Sequence, residues 1–234
     1  MQLFYNSQIN KQSISFTLDR EESKHVFKVL RKNIGDRINL TDGKGNLYHG
    51  TINHITSNRC DLDIAFAEAY PPLPYQLHIA IAPTKMNDRM EWFLEKATEM
   101  GITRITPILC KHSERQKINL ERFDRIIISA MKQSLQFHKP VLDELTSFED
   151  FLSLDLNNSK LIAHCEDGDK NHLKNLISKG TSTTVLIGPE GDFTPQEIDQ
   201  ALKNNFKPVS LGTTRLRTET AGVYTAATLN IINN

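Results

Sequence analysis

Two stretches near the carboxyl end combine residue types able to hold a ligand and act on it. Leu211-Gly212-Thr213-Thr214-Arg215-Leu216-Arg217-Thr218-Glu219-Thr220 follows an apolar strand signal, Pro208 to Leu211, and precedes a helix rich in small residues, Ala221 to Ile232. Gly188-Pro189-Glu190-Gly191-Asp192-Phe193 follows the apolar run Thr184 to Ile187 and also leads into a helix. Glycine loops at the carboxyl ends of strands are the usual ligand position in an open α/β sheet. With no side chain in the way, their backbone N–H and C=O groups can reach a flat ligand and read a nucleoside edge. Neither loop has the spacing of a phosphate loop or a dinucleotide fingerprint. Arg217 and Glu219 as a surface ion pair would stabilise little. A polar loop after a buried strand costs free energy unless its groups find partners, so the pair is predicted to face a substrate while Leu211 to Thr218 hold a cofactor.

Basic residues cluster in two other places. Lys24, Lys28, Arg31 and Lys32 recur at i, i+4, i+7 and i+8, which puts them on one helical face, with His25 and Arg37 close in sequence. The second cluster is Lys111-His112-Ser113-Glu114-Arg115-Gln116-Lys117. The chain as a whole is neutral, with 28 basic and 28 acidic residues. Binding to a phosphate backbone must therefore rest on these local patches. Cys110 with His112, and His164-Cys165-Glu166, lack the paired spacing of a closed metal site, so no metal is expected. Three widely spaced cysteines make no disulfide framework. No run approaches the ~20 apolar residues of a membrane span, and the first residues lack a basic region followed by an apolar one. These features predict a soluble cytoplasmic protein.

The elements that must position these groups change character along the chain. Residues 1–70 read as β, with strands expected at Gln12–Thr17, Arg37–Thr41, Leu47–Thr56 and Arg59–Phe66, and a hairpin turn at Asp42 to Asn46. One helix interrupts them, capped by Asp19, with Val26, Phe27 and Leu30 as its inner face. Four or five short strands with one helix point to a small barrel. Tyr70-Pro71-Pro72-Leu73-Pro74 reads as a stiff boundary, because three prolines in four residues suit neither helix nor central strand. Residues 75–234 then alternate strand and helix, the pattern of a largely parallel sheet with helices on both sides. Helices are expected over Met86–Met100, ended by Gly101, over Leu120–Phe137 and near Asn171–Ile177. A fourth begins at Thr194-Pro195-Gln196-Glu197, which has the form of a capping box.

The chain also resembles a known family, the bacterial 16S ribosomal RNA uridine N3-methyltransferases. The resemblance spans nearly its whole length. It is carried by His25 with Val29-Leu30-Arg31 and Gly35-Asp36, by Glu95 to Gly101, by Ile187-Gly188-Pro189-Glu190-Gly191, and by Leu211-Gly212 with Leu216-Arg217-Thr218-Glu219-Thr220-Ala221. It implies a PUA-like β-barrel for RNA, a SPOUT α/β trefoil-knot domain, S-adenosylmethionine as methyl donor, and a homodimer that builds each site from two subunits. The implied substrate is a uridine in the decoding region of 16S rRNA, either in free rRNA or in the small subunit. Carried onto this sequence, Gly188, Pro189, Glu190 and Gly191 form one cofactor loop. Leu211, Gly212, Leu216, Arg217 and Thr218 form a second, and Ala163 with His164 a third wall. Glu219 becomes the base or base-orienter and Arg217 its electrostatic complement. Lys24, Lys28, Arg31, Lys32, Arg37, Lys111 and Arg115 are the expected RNA contacts. Three positions depart from the family pattern: Asp192 stands where a second glycine is usual, Arg215 is displaced by one position, and Gln136 replaces a frequent arginine. The competing readings are a non-catalytic RNA-binding dimer and a methyltransferase of the same fold acting on another RNA.

Overall fold

The computed structural model describes residues 2–234. Two compact units emerge: one comprises the chain up to Pro72 together with Met131–Lys139, the other Leu73–Ala130 and Pro140–Asn234.

The first unit contains β1 (Leu3–Tyr5), β2 (Ser15–Leu18), α1 (Arg20–Lys24), β3 (Arg37–Thr41), β4 (Asn46–Ile55) and β5 (Cys60–Ala69). They form a five-stranded sheet in the order β1-β3-β4-β5-β2 around a core that includes Leu40, Tyr48 and Leu62. The β3–β4 turn closes as its sequence predicts. Gly43 and Gly45 take positive φ, and the buried Asp42 accepts from Lys44 N, Asn46 N, Asn46 Nδ2 and Tyr48 Oη. These donors, set against burial, hold its carboxyl below the usual carboxylate range.

The first helix is shorter than its sequence period predicts. Asp19 does cap α1, accepting from Glu22 N at 2.8 Å, but the α-helix stops at Lys24 and His25–Val29 form a π-helical turn. Leu30 N reaches back five residues to His25 O, and Arg31 then takes φ +51°. The extra residue in the turn rotates everything after it. Lys24, Lys28, Arg31 and Lys32 are therefore spread over a helix, a π-turn and a loop instead of sharing one helical face. Phe27 is 42% exposed instead of lying inside, whereas Val26 is fully buried.

The second unit begins with β6 (Leu77–Ile81), α2 (Asn87–Glu99), β7 (Arg104–Leu109) and α3 (Leu120–Gln133). It continues through β8 (Val141–Leu142), β9 (Thr146–Ser147), α4 (Phe148–Leu152), β10 (Ser159–Ala163), β11 (Asn171–His172) and α5 (Leu173–Leu176). It ends with β12 (Thr183–Ile187), α6 (Pro195–Lys203), β13 (Lys207–Ser210) and α7 (Thr218–Asn233). The sheet runs β11-β13-β10-β12-β6-β7-β8, and neighbouring strands pair in parallel throughout. Alternate residues of β6 feed opposite faces. Leu77, Ile79 and Ile81 join the core under α2, α3, α5 and α7, while Ala80 and Ala82 join the core under α4 and α6.

Several bounds differ from the sequence pattern. α3 stops at Gln133, because Leu135 takes φ +57° and breaks the helical path before Phe137. Met86 caps α2 from outside and is exposed. Asn171–His172 pair with β13 as a strand, leaving only Leu173–Leu176 helical. Thr194 makes the full capping box of α6, its hydroxyl accepting from Glu197 N while Glu197 accepts from Thr194 N.

The route of the last elements positions the site. From β12 the chain crosses β10 on one face, through α6, to reach β13. It then returns on the other face so that α7 packs on β6, β12 and α2. The chain thus wraps around β10, the doubling-back on which the knotted SPOUT-type fold depends.

Candidate active site

Register brings the glycine loops together. Ala163, the last residue of β10, pairs with Ile187 of β12 and with Val209 of β13. The segments that follow, from His164, Gly188 and Leu211, therefore leave neighbouring strands at one end of the sheet. Side chains then tie them. Thr218 Oγ1 donates to Gly188 O at 3.1 Å, and Cys165 N donates to Asp192 Oδ2 at 2.6 Å.

Within this rim the predicted cofactor residues differ in environment. Gly188 and Pro189 are buried, while Glu190 and Gly191 are exposed. A Cβ on Gly188 would lie 3.0 Å from the Phe193 ring, and one on Gly191 would lie 3.1 Å from His112 Cβ. The room left by these two glycines is thus taken by neighbouring side chains. Glu190 is anchored through Oε1, which accepts from Lys85 N at 3.0 Å. Gly212 is different: φ is +138° and no heavy atom lies within 4 Å of its missing Cβ, so it presents open backbone. Leu211 and Leu216, on either side of it, pack on the core below α7. His164 contributes a buried Nδ1 without a hydrogen-bond partner. Burial, followed by the nearby Lys170 charge, pushes its imidazole pKa down. Gly212 thus offers open backbone and His164 an orphaned ring nitrogen, in segments that follow neighbouring strands of the sheet.

Asp192 resolves one departure from the family pattern. It takes φ +60°, the left-handed conformation that glycine adopts freely. Its carboxylate accepts from Phe193 N as well as Cys165 N. The side chain thus replaces glycine's conformational freedom with two hydrogen bonds.

Arg217 and Glu219 lie where the chain enters α7 and line a cleft of about 360 Å³ with Asp88, Arg89, Trp92 and Thr220. Arg217 caps α7 and is exposed, and Glu219, two residues on, is 6% exposed. Glu219 makes its ion contact with Arg89, whose Nε lies 3.7 Å from Oε1. Its Oε2 is buried with no donor. A buried acceptor left open costs about 1–3 kcal/mol, more when charged, so an N–H donor brought by a ligand would relieve it. Arg89 and Trp92 were not singled out by the sequence. Their only signal was an i, i+3 spacing on α2, shared with any helix.

The expected RNA contacts divide between the units. Lys24, Lys28, Arg31 and Arg37 are exposed and Lys32 half-buried, all in the first. In the second unit Lys111 is exposed. Arg115 is half-buried and donates to Thr84 O at 2.9 Å and Lys85 O at 2.6 Å. Its guanidinium therefore fastens the loop after β6. Among the described residues, no group of three His, Cys, Asp or Glu side chains could hold a metal ion, and no helix is long and apolar enough to cross a membrane.

Comparisons with known proteins agree with this architecture. A family model for an RNA methyltransferase domain matches residues 71–230, and one for an RNA methyltransferase PUA domain matches residues 18–65. The ribosomal RNA small subunit methyltransferase E of Rickettsia conorii is 27% identical over 235 residues, covering 99% of this chain and 96% of that one. A structure described as a "probable rRNA-methyltransferase" from Porphyromonas gingivalis is 38% identical, with a TM-score of 0.90 over 100% of this chain and 98% of that one. The ribosomal RNA small subunit methyltransferase E of Neisseria gonorrhoeae, bound to S-adenosyl methionine, is 26% identical, with a TM-score of 0.85 over 97% and 96% of the two chains. With matching models over both parts of its length and this fold beneath them, the chain belongs to the RNA methyltransferase family.

Proposed function

We propose that this protein transfers the methyl group of S-adenosylmethionine to N3 of a uridine in 16S rRNA. The single observation that carries the reading is Glu219 Oε2, a buried carboxylate oxygen without a donor, in a cleft beside Arg217. Support also comes from two of the relatives above, which are named as ribosomal RNA small subunit methyltransferases, one of them bound to S-adenosyl methionine.

S-adenosylmethionine supplies an electrophilic methyl group on a sulfonium, which needs only alignment with an acceptor lone pair. Ala163, Gly188 to Gly191, Leu211, Gly212, Leu216, Arg217 and Thr218 are the residues assigned to hold it. Uridine N3 carries a proton, and its lone pair is released as that proton leaves. Glu219 accepts the proton, directly or by orienting the group that does. Arg217 stabilises the negative charge that spreads onto the ring carbonyls. The new N–C bond forms as the C–S bond breaks, and the sulfur leaves as a neutral thioether. Because N3 lies on the pairing edge, the base must leave its stack to reach the cleft.

The reading extends to a homodimer working in the cytoplasm, where ribosomal subunits mature. Sedimentation at micromolar concentration tests the dimer. For the reaction, unmodified 16S rRNA or small subunits are incubated with labelled S-adenosylmethionine and digested to nucleosides. The expected product is N3-methyluridine. Glu219→Gln and Arg217→Ala should each slow single turnover about a hundredfold or more. Near-normal rates in both variants, with cofactor binding intact, would remove these two roles.

A further inference from the structure

The cleft that holds Glu219 has a second wall, formed by Asp88, Arg89 and Trp92 at the start of α2. The methyl-transfer scheme leaves these three residues without a role, and three observations bear on them. The cleft's charges cancel, with Asp88 and Glu219 against Arg89 and Arg217. Phosphate sites carry a net positive field, so this cleft suits an uncharged ligand with hydrogen-bonding edges. Trp92 is 42% exposed and offers an aromatic surface within it. Finally, the Arg89–Glu219 contact at 3.7 Å is too long for a hydrogen bond. It holds the carboxylate by charge and leaves Oε2 open to an N–H donor.

We infer that this wall receives the extruded pyrimidine of the substrate RNA, with Trp92 stacking on its ring and Arg89 as the positioning residue that aims Glu219 at the ring N–H. The inference rests on the methyl-transfer reading of Glu219. Uracil matches all three observations at once: it is neutral, flat, and carries one ring N–H between two carbonyls. Aromatic side chains bind bases through their π-faces whatever the base identity. Identity is then left to the N–H that Glu219 requires, which uracil has at N3 and cytosine lacks.

The chain has a single tryptophan, so its fluorescence reports on this wall alone. A uridine-containing RNA oligonucleotide titrated into the full-length protein with S-adenosylmethionine should quench it. In steady-state assays Trp92→Ala should raise KM for RNA about tenfold, and Trp92→Phe should restore most of that. Arg89→Met should lower kcat roughly ten- to a hundredfold with KM little changed, and Arg89→Lys should recover part of it. Calorimetric affinity for S-adenosylmethionine should stay within about twofold in all four variants, as expected for side chains that touch the base and not the cofactor.

An unchanged KM in Trp92→Ala, or no quenching in a protein that methylates RNA, overturns the inference. So does a Trp92→Ala protein that loses cofactor binding or changes oligomeric state, which would place Trp92 in the cofactor pocket or between copies of the chain. A wild-type protein that binds S-adenosylmethionine yet methylates no RNA would refute the methyl-transfer reading instead. Quenching would then still decide whether the cleft holds a pyrimidine.

Discussion

Cys165 N donates to Asp192 Oδ2 at 2.6 Å, which joins the loop after β10 to the loop after β12. The same carboxylate accepts from Phe193 N at 2.8 Å through Oδ1. Two of the three loops assigned to the cofactor are therefore joined by one side chain held in a left-handed conformation.

Replacing Asp192 separates its two contributions. Asp192→Ala loses both hydrogen bonds and keeps the backbone cost, so it should lose about 1–3 kcal/mol of stability and bind S-adenosylmethionine more weakly. Asp192→Gly loses the bonds but removes the strain, and should fall between alanine and wild type. Urea titrations with calorimetry on the three proteins check the order. If alanine matches wild type in both measurements, the clamp has no energetic weight.

Gly222 tests the packing beneath the site. A Cβ there would lie 2.6 Å from the Phe93 ring and 3.0 Å from Ile81, between α7, α2 and β6. Gly222→Ala gains helix propensity but overpacks a rigid interior, and should cost about 1–3 kcal/mol net. Thermal unfolding reads this directly, and a Tm at or above that of wild type would show that the helices can part at no cost.

His78 predicts how stability depends on pH. It is buried between Thr184 Oγ1 at 3.2 Å and Thr106 Oγ1 at 2.8 Å, with Asp143 and Arg104 nearby. Burial and then the Arg104 charge, opposed by Asp143, together push its pKa down to about 4. Between about pH 6.5 and 4 the unfolded chain takes up a proton that the folded chain refuses. The histidine's contribution is thus fully present above pH 6.5 and is lost as pH falls toward 4, about 2 kcal/mol by pH 5. Denaturant midpoints at pH 7 and pH 5, compared with His78→Gln, should show the loss only where the histidine is present.

The basic surface of the first unit predicts a salt effect. Reversing Lys28 and Arg31 to glutamate should weaken RNA binding and reduce the slope of log affinity against log salt by about 1.4. An unchanged slope would move the RNA phosphates to another surface.

Legibility in the sequence followed locality. The Thr194 capping box, the turn glycines at 43 and 45, and the strand Arg37–Thr41 each rest on neighbours within a few residues, and the structure has them as read. The π-turn at His25–Val29 was hidden because Val26, Phe27 and Leu30 fit an ordinary 3.6-residue period. The β11 strand was hidden because it is only two residues long and pairs with a segment far along the chain. At the candidate site, the glycine loops and the Arg217–Glu219 pair stood out as concentrated polar groups. Arg89 and Trp92 did not, because what distinguishes them is what lies across the cleft from them.

The excursion Met131–Lys139 has a further consequence. It pairs with the β3–β4 turn through Gly45 N to Phe137 O at 2.9 Å and Lys139 N to Gly43 O at 2.9 Å. It also stacks Phe137 on Tyr70 with ring centroids 4.3 Å apart. The first unit is thus assembled from two separated stretches of chain, and no single cut at the prolines releases it whole. A gene fragment ending at Pro72 encodes a module missing a piece. Recombination could exchange this module between relatives only by carrying the distant segment with it, so its two stretches are inherited as a linked pair.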